Sequence, residues 1–224
     1  MITLTDVTKK YGEKTVFENF SLSLQTGAVT AVLGSSGSGK TTLLNILAGL
    51  TDFEGKITGD VKPAACVFQT NGLAKNLTVK ENILLVNKNA DAEEMLRRAG
   101  LLGAANLYPK ELSGGMARRV AIIRAFAYPA KLLLLDEPFF GLDPALKELM
   151  IAELERLLKE DNRTTVLVTH DAKEAVRLAS RAVIISGGKT VYDKSGLTRN
   201  DEEELYRKVV KAGLADLNKA NGFK

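Results

Sequence analysis

Apolar and polar residues alternate in the first part of the chain with the two-residue period of half-buried strands. Residues 2–7 alternate, residues 20–24 alternate again, and residues 28–33 form a short apolar run. Successive side chains of a strand point to opposite faces, so this period predicts strands with one buried face. Gly12 and Gly27 lie between these runs and predict turns. The opening of the chain is therefore predicted to be β.

From Lys40 onward the apolar residues recur every three or four positions, as in an amphipathic helix. The apolar stripe consists of Leu43, Leu44, Leu47 and Leu50. Gly49 lies near its end and favours termination there. Two further β segments are predicted at residues 55–58 and 64–68, and residues 79–103 are predicted to be mostly helical. The sequence thus reads as strand, glycine-rich loop and helix, followed by a small helical insertion.

The second half of the chain alternates between helix and strand. The predicted helices span residues 115–128, 144–161 and 172–179, and the predicted strands span 131–136, 164–169, 182–186 and 190–192. Apolar strands separated by amphipathic helices predict a parallel sheet with both faces covered. The acidic residues 201–204 suit the positive N-terminal end of a last helix.

Composition narrows the class of protein without naming a partner. The 224 residues include 31 Lys and Arg against 27 Asp and Glu, a formal net charge of +4. These charges are scattered along the chain, so we expect no nucleic-acid partner. The single cysteine, Cys66, lies in an apolar run and is predicted to be a small buried residue in a reducing compartment. The N-terminal pattern lacks the features of a secretion signal, and the apolar runs are too short to cross a bilayer, so we expect a cytoplasmic protein.

The most specific motif runs from Gly34 to Thr41 and fits the phosphate-loop pattern G-x-x-x-x-G-K-[ST] between a predicted strand and a predicted helix. Glycines let backbone N–H groups converge on phosphate oxygens, and the helix that follows presents its positive end. Lys40 is expected to reach the β- and γ-phosphates, and the Thr41 hydroxyl is expected to bind Mg²⁺. The predicted nucleotide ligands here are Gly34, Ser35, Ser36, Gly37, Ser38, Gly39, Lys40, Thr41 and Thr42.

A second motif places two carboxylates, Asp136 and Glu137, directly after the apolar run Leu132 to Leu135. Ligands bind at the carboxyl ends of strands in open α/β sheets, where a buried strand holds such side chains rigidly. Asp136 is predicted to bind Mg²⁺, directly or through water. Glu137 is predicted to orient and deprotonate the attacking water. Together with the phosphate loop, this motif identifies a P-loop nucleoside triphosphatase.

The third motif, Leu112-Ser113-Gly114-Gly115-Met116, resembles the LSGGQ signature of the ATP-binding cassette family. The resemblance covers nearly the whole chain. It implies an ATP- and Mg²⁺-dependent ATPase whose fold is α/β, a P-loop core with an N-terminal antiparallel β portion and an inserted helical subdomain. We expect a single domain over residues 1–224, with the subdomain at about 71–111.

The resemblance also assigns roles to residues that carry little signal alone. Tyr11 matches the adenine-stacking aromatic, and Gln69 matches the glutamine that contacts Mg²⁺ and water and senses the membrane subunit. His170 matches the switch histidine at the γ-phosphate. The implied catalytic residues are Glu137, His170, Gln69 and Lys40, and the implied metal ligands are Thr41, Gln69 and Asp136.

Ser113, Gly114 and Gly115 precede a predicted helix, so this chain holds a second helix end suited to an anion. In the family the signature of one subunit closes over the ATP held by the phosphate loop of the other. The resemblance therefore implies that Ser113, Gly114 and Gly115 bind nucleotide across a dimer, with Gly141-Leu142-Asp143 crossing the interface.

The sequence departs from the family pattern in two places. Met116 stands where most members of the family have glutamine. Methionine at this position is typical of importer subunits for nitrate, sulfonate and taurine, which this chain therefore resembles. The stretch from Gln69 to Ser113 is short. The backbone donors and Ser113 remain, so we expect activity to survive the first change.

The resemblance implies a subunit that energises solute transport on the inner face of the cell membrane. Its expected partners are a second ATP-binding subunit, membrane permease subunits, docked near residues 70–82, and a solute-binding protein. The alternatives are a non-transport cassette protein of DNA repair or translation and a regulatory nucleotide-binding module. The short insertion and the single cassette argue against the first, and the presence of both Glu137 and His170 argues against the second.

Overall fold

The computed structural model describes residues 1–220. Its strands are β1 (Ile2–Tyr11), β2 (Lys14–Leu24), β3 (Val29–Leu33), β4 (Glu54–Thr58), β5 (Ala64–Val67), β6 (Leu132–Asp136), β7 (Thr164–Val168), β8 (Arg181–Ser186) and β9 (Lys189–Ser195). Its α-helices are α1 (Lys40–Ala48), α2 (Val79–Val86), α3 (Ala92–Arg98), α4 (Gly114–Ala127), α5 (Pro144–Glu160), α6 (Ala172–Leu178) and α7 (Glu202–Ala220).

A small antiparallel sheet with the order β2-β1-β4 forms the N-terminal part. In its register Leu4 lies opposite Leu22 on one side and Ile57 on the other, so apolar side chains share one face. β1 and β2 extend further toward their hairpin than the predicted 2–7 and 20–24. The alternation fails over the polar residues there, yet cross-strand pairing continues as far as Tyr11 and Lys14.

The larger sheet has the order β5-β6-β7-β3-β8-β9, in which β9 alone runs antiparallel among the described strands. The small sheet and α1 pack on one face through residues such as Leu43 and Leu134. On the other face α4 and α5 cover β5, β6 and β7, whereas α6 and α7 cover β3 and β8. The predicted α/β class with an N-terminal antiparallel portion is confirmed.

The helical region after β5 contains two short helices, α2 and α3, both within the predicted helical stretch 79–103. Thr78 and Glu81 cap the start of α2 reciprocally, and Asp91 caps α3. Both helices share an apolar core with one side of α4, through Val120 and Ile123.

The opposite side of α4 packs on the large sheet through Ala121, Ile122 and Ala125. Thus α4 connects the insertion to the large sheet. The bounds of the helical subdomain, at about 71–111, stay a prediction, as does the single domain over residues 1–224. The last four residues of that domain lie outside the described residues.

The structure corrects two expectations about burial. Cys66 is half-buried at the edge of the main core, because it lies on β5 at the margin of the sheet. Val79 and Ile83, at the end of the segment 70–82 where permease docking is expected, are core residues of the insertion with at most 1% exposure and are not available to a partner. Along residues 1–220, none of the helices combines the length and apolar composition that crossing a bilayer requires.

Candidate active site

The order of the large sheet places four strand ends side by side. β5, β6, β7 and β3 are consecutive neighbours and parallel, so the residues that follow them meet at one edge. These residues border a cleft of about 570 Å³. The predicted residues that line it are Tyr11, Gly34, Ser35, Ser36, Gly37, Gly39, Lys40, Thr41, Thr42, Gln69, Asp136, Glu137 and His170.

Two positions of the phosphate loop accept only glycine. Gly34 has a φ of 150°, and a Cβ there would lie 2.2 Å from the carbonyl oxygen of Ile185. Gly39 has a φ of 108°, and a Cβ there would lie 2.7 Å from the ring of Phe17. The loop therefore passes close to β8 and β2 before it enters α1, whose positive end opens on the cleft.

Lys40 lies at the start of α1 with its ammonium group inside the loop. Its Nζ donates hydrogen bonds of 2.8 Å to the carbonyl oxygens of Gly34 and Ser35. Burial lowers the pKa of Lys40, and the nearby carboxylates of Glu137 and Asp136 oppose that effect. The arrangement fixes a positive charge where phosphate oxygens would be bound.

Asp136 ends β6 in a buried position, at 2% exposure. Its Oδ2 accepts a hydrogen bond of 3.1 Å from the Thr41 hydroxyl, and its Oδ1 is buried with no hydrogen-bond partner in residues 1–220. Burial raises the pKa of Asp136, while the bond from Thr41 opposes that effect. A hydroxyl and a carboxylate oxygen that needs a partner suit a hard divalent cation.

Glu137 follows Asp136 in a left-handed backbone conformation with a φ of 47°. Such strain in a residue other than glycine costs on the order of 1–3 kcal/mol and persists only where the surroundings enforce it. The Glu137 N–H donates to the carbonyl oxygen of Val168 at 3.0 Å. Oε2 of Glu137 lies 2.8 Å from Nδ1 of His170, which follows β7. Two predicted catalytic side chains are thus in direct contact.

Tyr11 and Gln69 lie at the mouth of the same cleft. Tyr11 is 47% exposed, and Nζ of Lys9 lies 4.8 Å from the centre of its ring. Gln69 is exposed in the loop after β5. Both positions fit the expected roles of an aromatic platform and a polar side chain at the edge of the nucleotide.

The remaining predicted ligands do not line this cleft. Ser38 is buried in the loop. Ser113 accepts a 3.2 Å hydrogen bond from the N–H of Met116 and so caps α4, with Gly114 exposed beside it. Gly115 is buried, and a Cβ there would lie 2.2 Å from Leu146. One chain therefore does not bring its signature segment to its own phosphate loop.

Two contributors to the site were not predicted from the sequence. Arg118 of α4 is buried and donates to the backbone of the loops that carry Gln69 and Glu137. A charged residue on the apolar side of a helix was the available signal. Asp216 of α7 accepts hydrogen bonds from Ser35 and, at 2.6 Å, from Ser186. No pattern in the sequence indicated that α7 reaches the phosphate loop.

Comparison with known proteins matches this geometry to a family. The sequence profile described as ABC transporter matches residues 17–140. An aliphatic sulfonates import ATP-binding protein of Burkholderia pseudomallei is 39% identical, over 86% of this chain and 62% of the relative. A sulfate/thiosulfate import ATP-binding protein of Nocardia farcinica is 36% identical, over 99% of this chain and 72% of the relative. The chain spans about three fifths of the length of the first curated relatives, at 62% and 60%.

Solved structures agree with these matches. A dimeric ATP-binding cassette in a post-hydrolysis state bound to ADP and Pi has a TM-score of 0.76 and 31% identity, over 87% of this chain and 98% of that one. An ATP-binding subunit of an ABC transporter has a TM-score of 0.79 over 94% of this chain and 99% of that one, and at 24% identity it shows the fold alone.

Proposed function

The chain belongs to the ABC transporter family, and we propose that it binds and hydrolyses ATP to energise solute transport through separate membrane subunits. One observation carries the proposal. The phosphate loop, Asp136, Glu137 and His170 meet around one cleft at the carboxyl edge of the parallel sheet. This is the set of groups that phosphoryl transfer to water requires.

The chain's own residues provide positioning and charge. Lys40 and the positive end of α1 bind the phosphates. The carboxylate of Glu137 accepts a proton from the attacking water, and the contact with His170 orients that carboxylate. The ring of Tyr11 stacks on the adenine of ATP at the mouth of the cleft. Phosphoryl transfer depends mainly on such positioning and on electrostatic stabilisation, so no covalent intermediate is needed.

Thr41 and Asp136 fit a divalent cation of the Mg²⁺ type. The buried Oδ1 of Asp136 has no partner along residues 1–220, and the Thr41 hydroxyl lies beside the other oxygen. Gln69 lies at the same cleft as the third expected ligand. When bound, Mg²⁺ neutralises phosphate charge. Mg²⁺ is bound in such sites through one or two protein oxygens and the substrate phosphates.

We propose further that two chains form the working unit. Ser113 and Gly114 are exposed at the start of α4, apart from the cleft of their own chain. Their helix end could therefore serve a phosphate held by a second copy. The dimeric state of the solved cassette supports this arrangement. In the composite site, Gly115 supports the signature by letting α4 approach Leu146.

The names of the curated relatives support import as the direction of transport. We propose that the chain binds permease subunits on the inner face of the membrane and works with a solute-binding protein. The non-transport alternative is not favoured by these relatives. The transported solute is selected by those other chains.

The decisive experiment measures phosphate release by the purified chain with ATP, in magnesium and again in excess chelator. Magnesium-dependent release that Glu137→Gln nearly abolishes would support the proposed ATPase. Release that is unaffected by the chelator or by Glu137→Gln would contradict it. Co-purification with membrane subunits from the native membrane tests the transport role.

A further inference from the structure

The guanidinium group of Arg118 lies buried between α4 and the loops that follow β5 and β6. The side chain comes from α4, five residues after Ser113, and the residue is 4% exposed. Its N–H groups donate to the backbone carbonyl oxygens of Phe68, Gln69 (3.4 Å), Asp136 (3.1 Å), Glu137 (2.7 Å) and Pro138 (2.8 Å). A single side chain thus joins the loop after β5 to the loop after β6.

These contacts are unusual because they place a buried cation among neutral acceptors. Within residues 1–220, Arg118 forms no ion pair with a carboxylate. Burial lowers the pKa of its guanidinium, opposed by the more distant charges of Asp136 and Glu137. An arginine nevertheless stays protonated, and a buried charge is tolerated only where its donors are matched. The geometry of the carbonyl oxygens around Arg118 is therefore tightly constrained.

The constraint bears directly on Glu137. Its backbone has a φ of 47°, which relaxes unless its peptide groups are held. The N–H is held by Val168, and the carbonyl oxygen by Arg118. Phe140 donates to the same carbonyl at 3.1 Å. Without Arg118 the strained residue keeps its contact to β7 but loses its contact to α4.

Arg124, a second arginine of α4, contacts the loop after β5 but not the loop after β6. Arg124 donates to the carbonyl oxygens of Gly72 and Asn71, at 2.8 and 3.2 Å, and so holds the loop after β5 alone. Arg118 contacts that loop and also the loop after β6, which carries Glu137. A displacement of the loop at Gln69 thus reaches the backbone of Glu137 through one rigid planar group.

We propose that Arg118 is a positioning residue that holds the backbone of Glu137 and of Gln69 in one fixed arrangement. The inference rests on the proposed ATPase function and adds a residue to it. Arg118 is buried and does not line the cleft. It acts on the rate of hydrolysis through the orientation of the Glu137 carboxylate.

The test compares Arg118→Lys and Arg118→Met with wild type and with the matched control Arg119→Met. Arg119 is the next residue of α4 and donates one hydrogen bond, of 3.0 Å, to Ala99 within the insertion. We expect Arg118→Met to lower kcat about 10- to 100-fold, the cost of a small misplacement of a catalytic group. Arg118→Lys should recover part of that loss, and KM for ATP should change by less than about twofold. Arg119→Met should keep the wild-type kcat.

A second readout separates positioning from general destabilisation. If Arg118 acts through Glu137, adding Arg118→Lys to Glu137→Gln causes no further loss of the residual hydrolysis. Additive losses in that background would overturn the inference, as would an unchanged kcat in both Arg118 variants. If Arg118→Met does not fold, the Arg118→Lys comparison decides. An inactive wild type would overturn the proposed function and this inference with it, whereas an active wild type with unaffected variants overturns this inference alone.

Discussion

Nδ1 of His170 lies 2.8 Å from Oε2 of Glu137, so the ends of two adjacent parallel strands are joined by two predicted catalytic side chains. The two partners differ in environment. Glu137 is buried at 8% exposure, whereas the imidazole of His170 is largely exposed. The carboxylate thus has one accessible neighbour that orients it, while its backbone is held from below by the sheet and α4.

Glu137→Gln is expected to retain ATP binding and to lose most turnover. The amide keeps the size of the side chain and its contact with His170, but it cannot accept a proton from water. General-base catalysis contributes about 10²–10⁴-fold, and the expected fall in kcat lies in that range. Phosphate release and nucleotide titration measure the two effects. Glu94→Gln, on the exposed surface of α3, is the control and should behave like wild type.

The sharing of one active site by two chains is tested by mixing inactive variants. Lys40→Ala removes the phosphate loop's cation, and Ser113→Arg blocks the signature, so neither homodimer has a complete site. A mixed dimer has one intact composite site. With random exchange, about one quarter of the wild-type activity should return, since half of the dimers are mixed and each holds one of two sites. No recovery despite demonstrated exchange of chains would contradict a composite site.

The sequence predicted the parts of the site that depend on local chemistry. The phosphate loop follows from glycines before Lys40, and the steric demands at Gly34 and Gly39 explain why other residues do not fit. Asp136 and Glu137 were predictable because an apolar strand ends in two carboxylates. The role of Gln69 came from family resemblance and not from periodicity, and the strand order that brings Gln69 to the same cleft was not predicted.

The parts that sequence reasoning missed depend on long-range packing. Arg118 sits among apolar residues of α4 because five carbonyl oxygens from two distant loops converge on it. Asp216 reaches Ser35 because α7 folds back across β8. Neither contact leaves a periodic signal. Similarly, the burial of Val79 and Ile83 depends on a core that includes α4, which lies far along the chain.

Cys66 is expected to react slowly with thiol reagents in the folded protein. Burial raises the pKa of its thiol to about 11, from 9.0. Since the thiolate is the nucleophile, alkylation near pH 8 should be about 100-fold slower than in the unfolded chain. Mass spectrometry of iodoacetamide adducts, with and without denaturant, measures the ratio.

The same pKa shift determines how the stability of the folded state changes with pH. The folded state favours the neutral thiol, so this contribution to stability is complete below pH 9 and is lost as the pH rises toward 11. The alkylation rate of the folded protein should keep rising over that interval, whereas the rate of the unfolded chain levels off above about pH 9. Equal rates near pH 8 would show that the Cys66 thiol is not desolvated.

Recruitment to a membrane permease is expected to depend on Leu77. Of the apolar residues in the loop after β5, Leu73 packs against two core clusters, so its replacement would affect folding. Leu77 is half-buried and belongs to neither cluster. Asn82 fixes the loop beneath it through hydrogen bonds to the carbonyl oxygens of Ala74, Leu77 and Thr78, at 3.1, 3.1 and 2.9 Å. The Leu77 side chain is thus presented on a backbone that Asn82 holds, in the loop after β5 that also carries Gln69.

Leu77→Asp should therefore abolish recruitment to membranes that contain the permease while leaving basal ATP hydrolysis near the wild-type value. An aspartate replaces an apolar contact with a desolvated charge, which an interface tolerates poorly. Leu50→Asp is the matched control, because Leu50 is 64% exposed just after α1 in the nucleotide-binding core. Loss of both recruitment and hydrolysis in Leu77→Asp would assign Leu77 to the core, and retained recruitment would place the permease contact elsewhere. Recruitment lost in Leu77→Asp and kept in Leu50→Asp would locate docking on the loop after β5, which carries Gln69 and through which a partner helix can act on the active site.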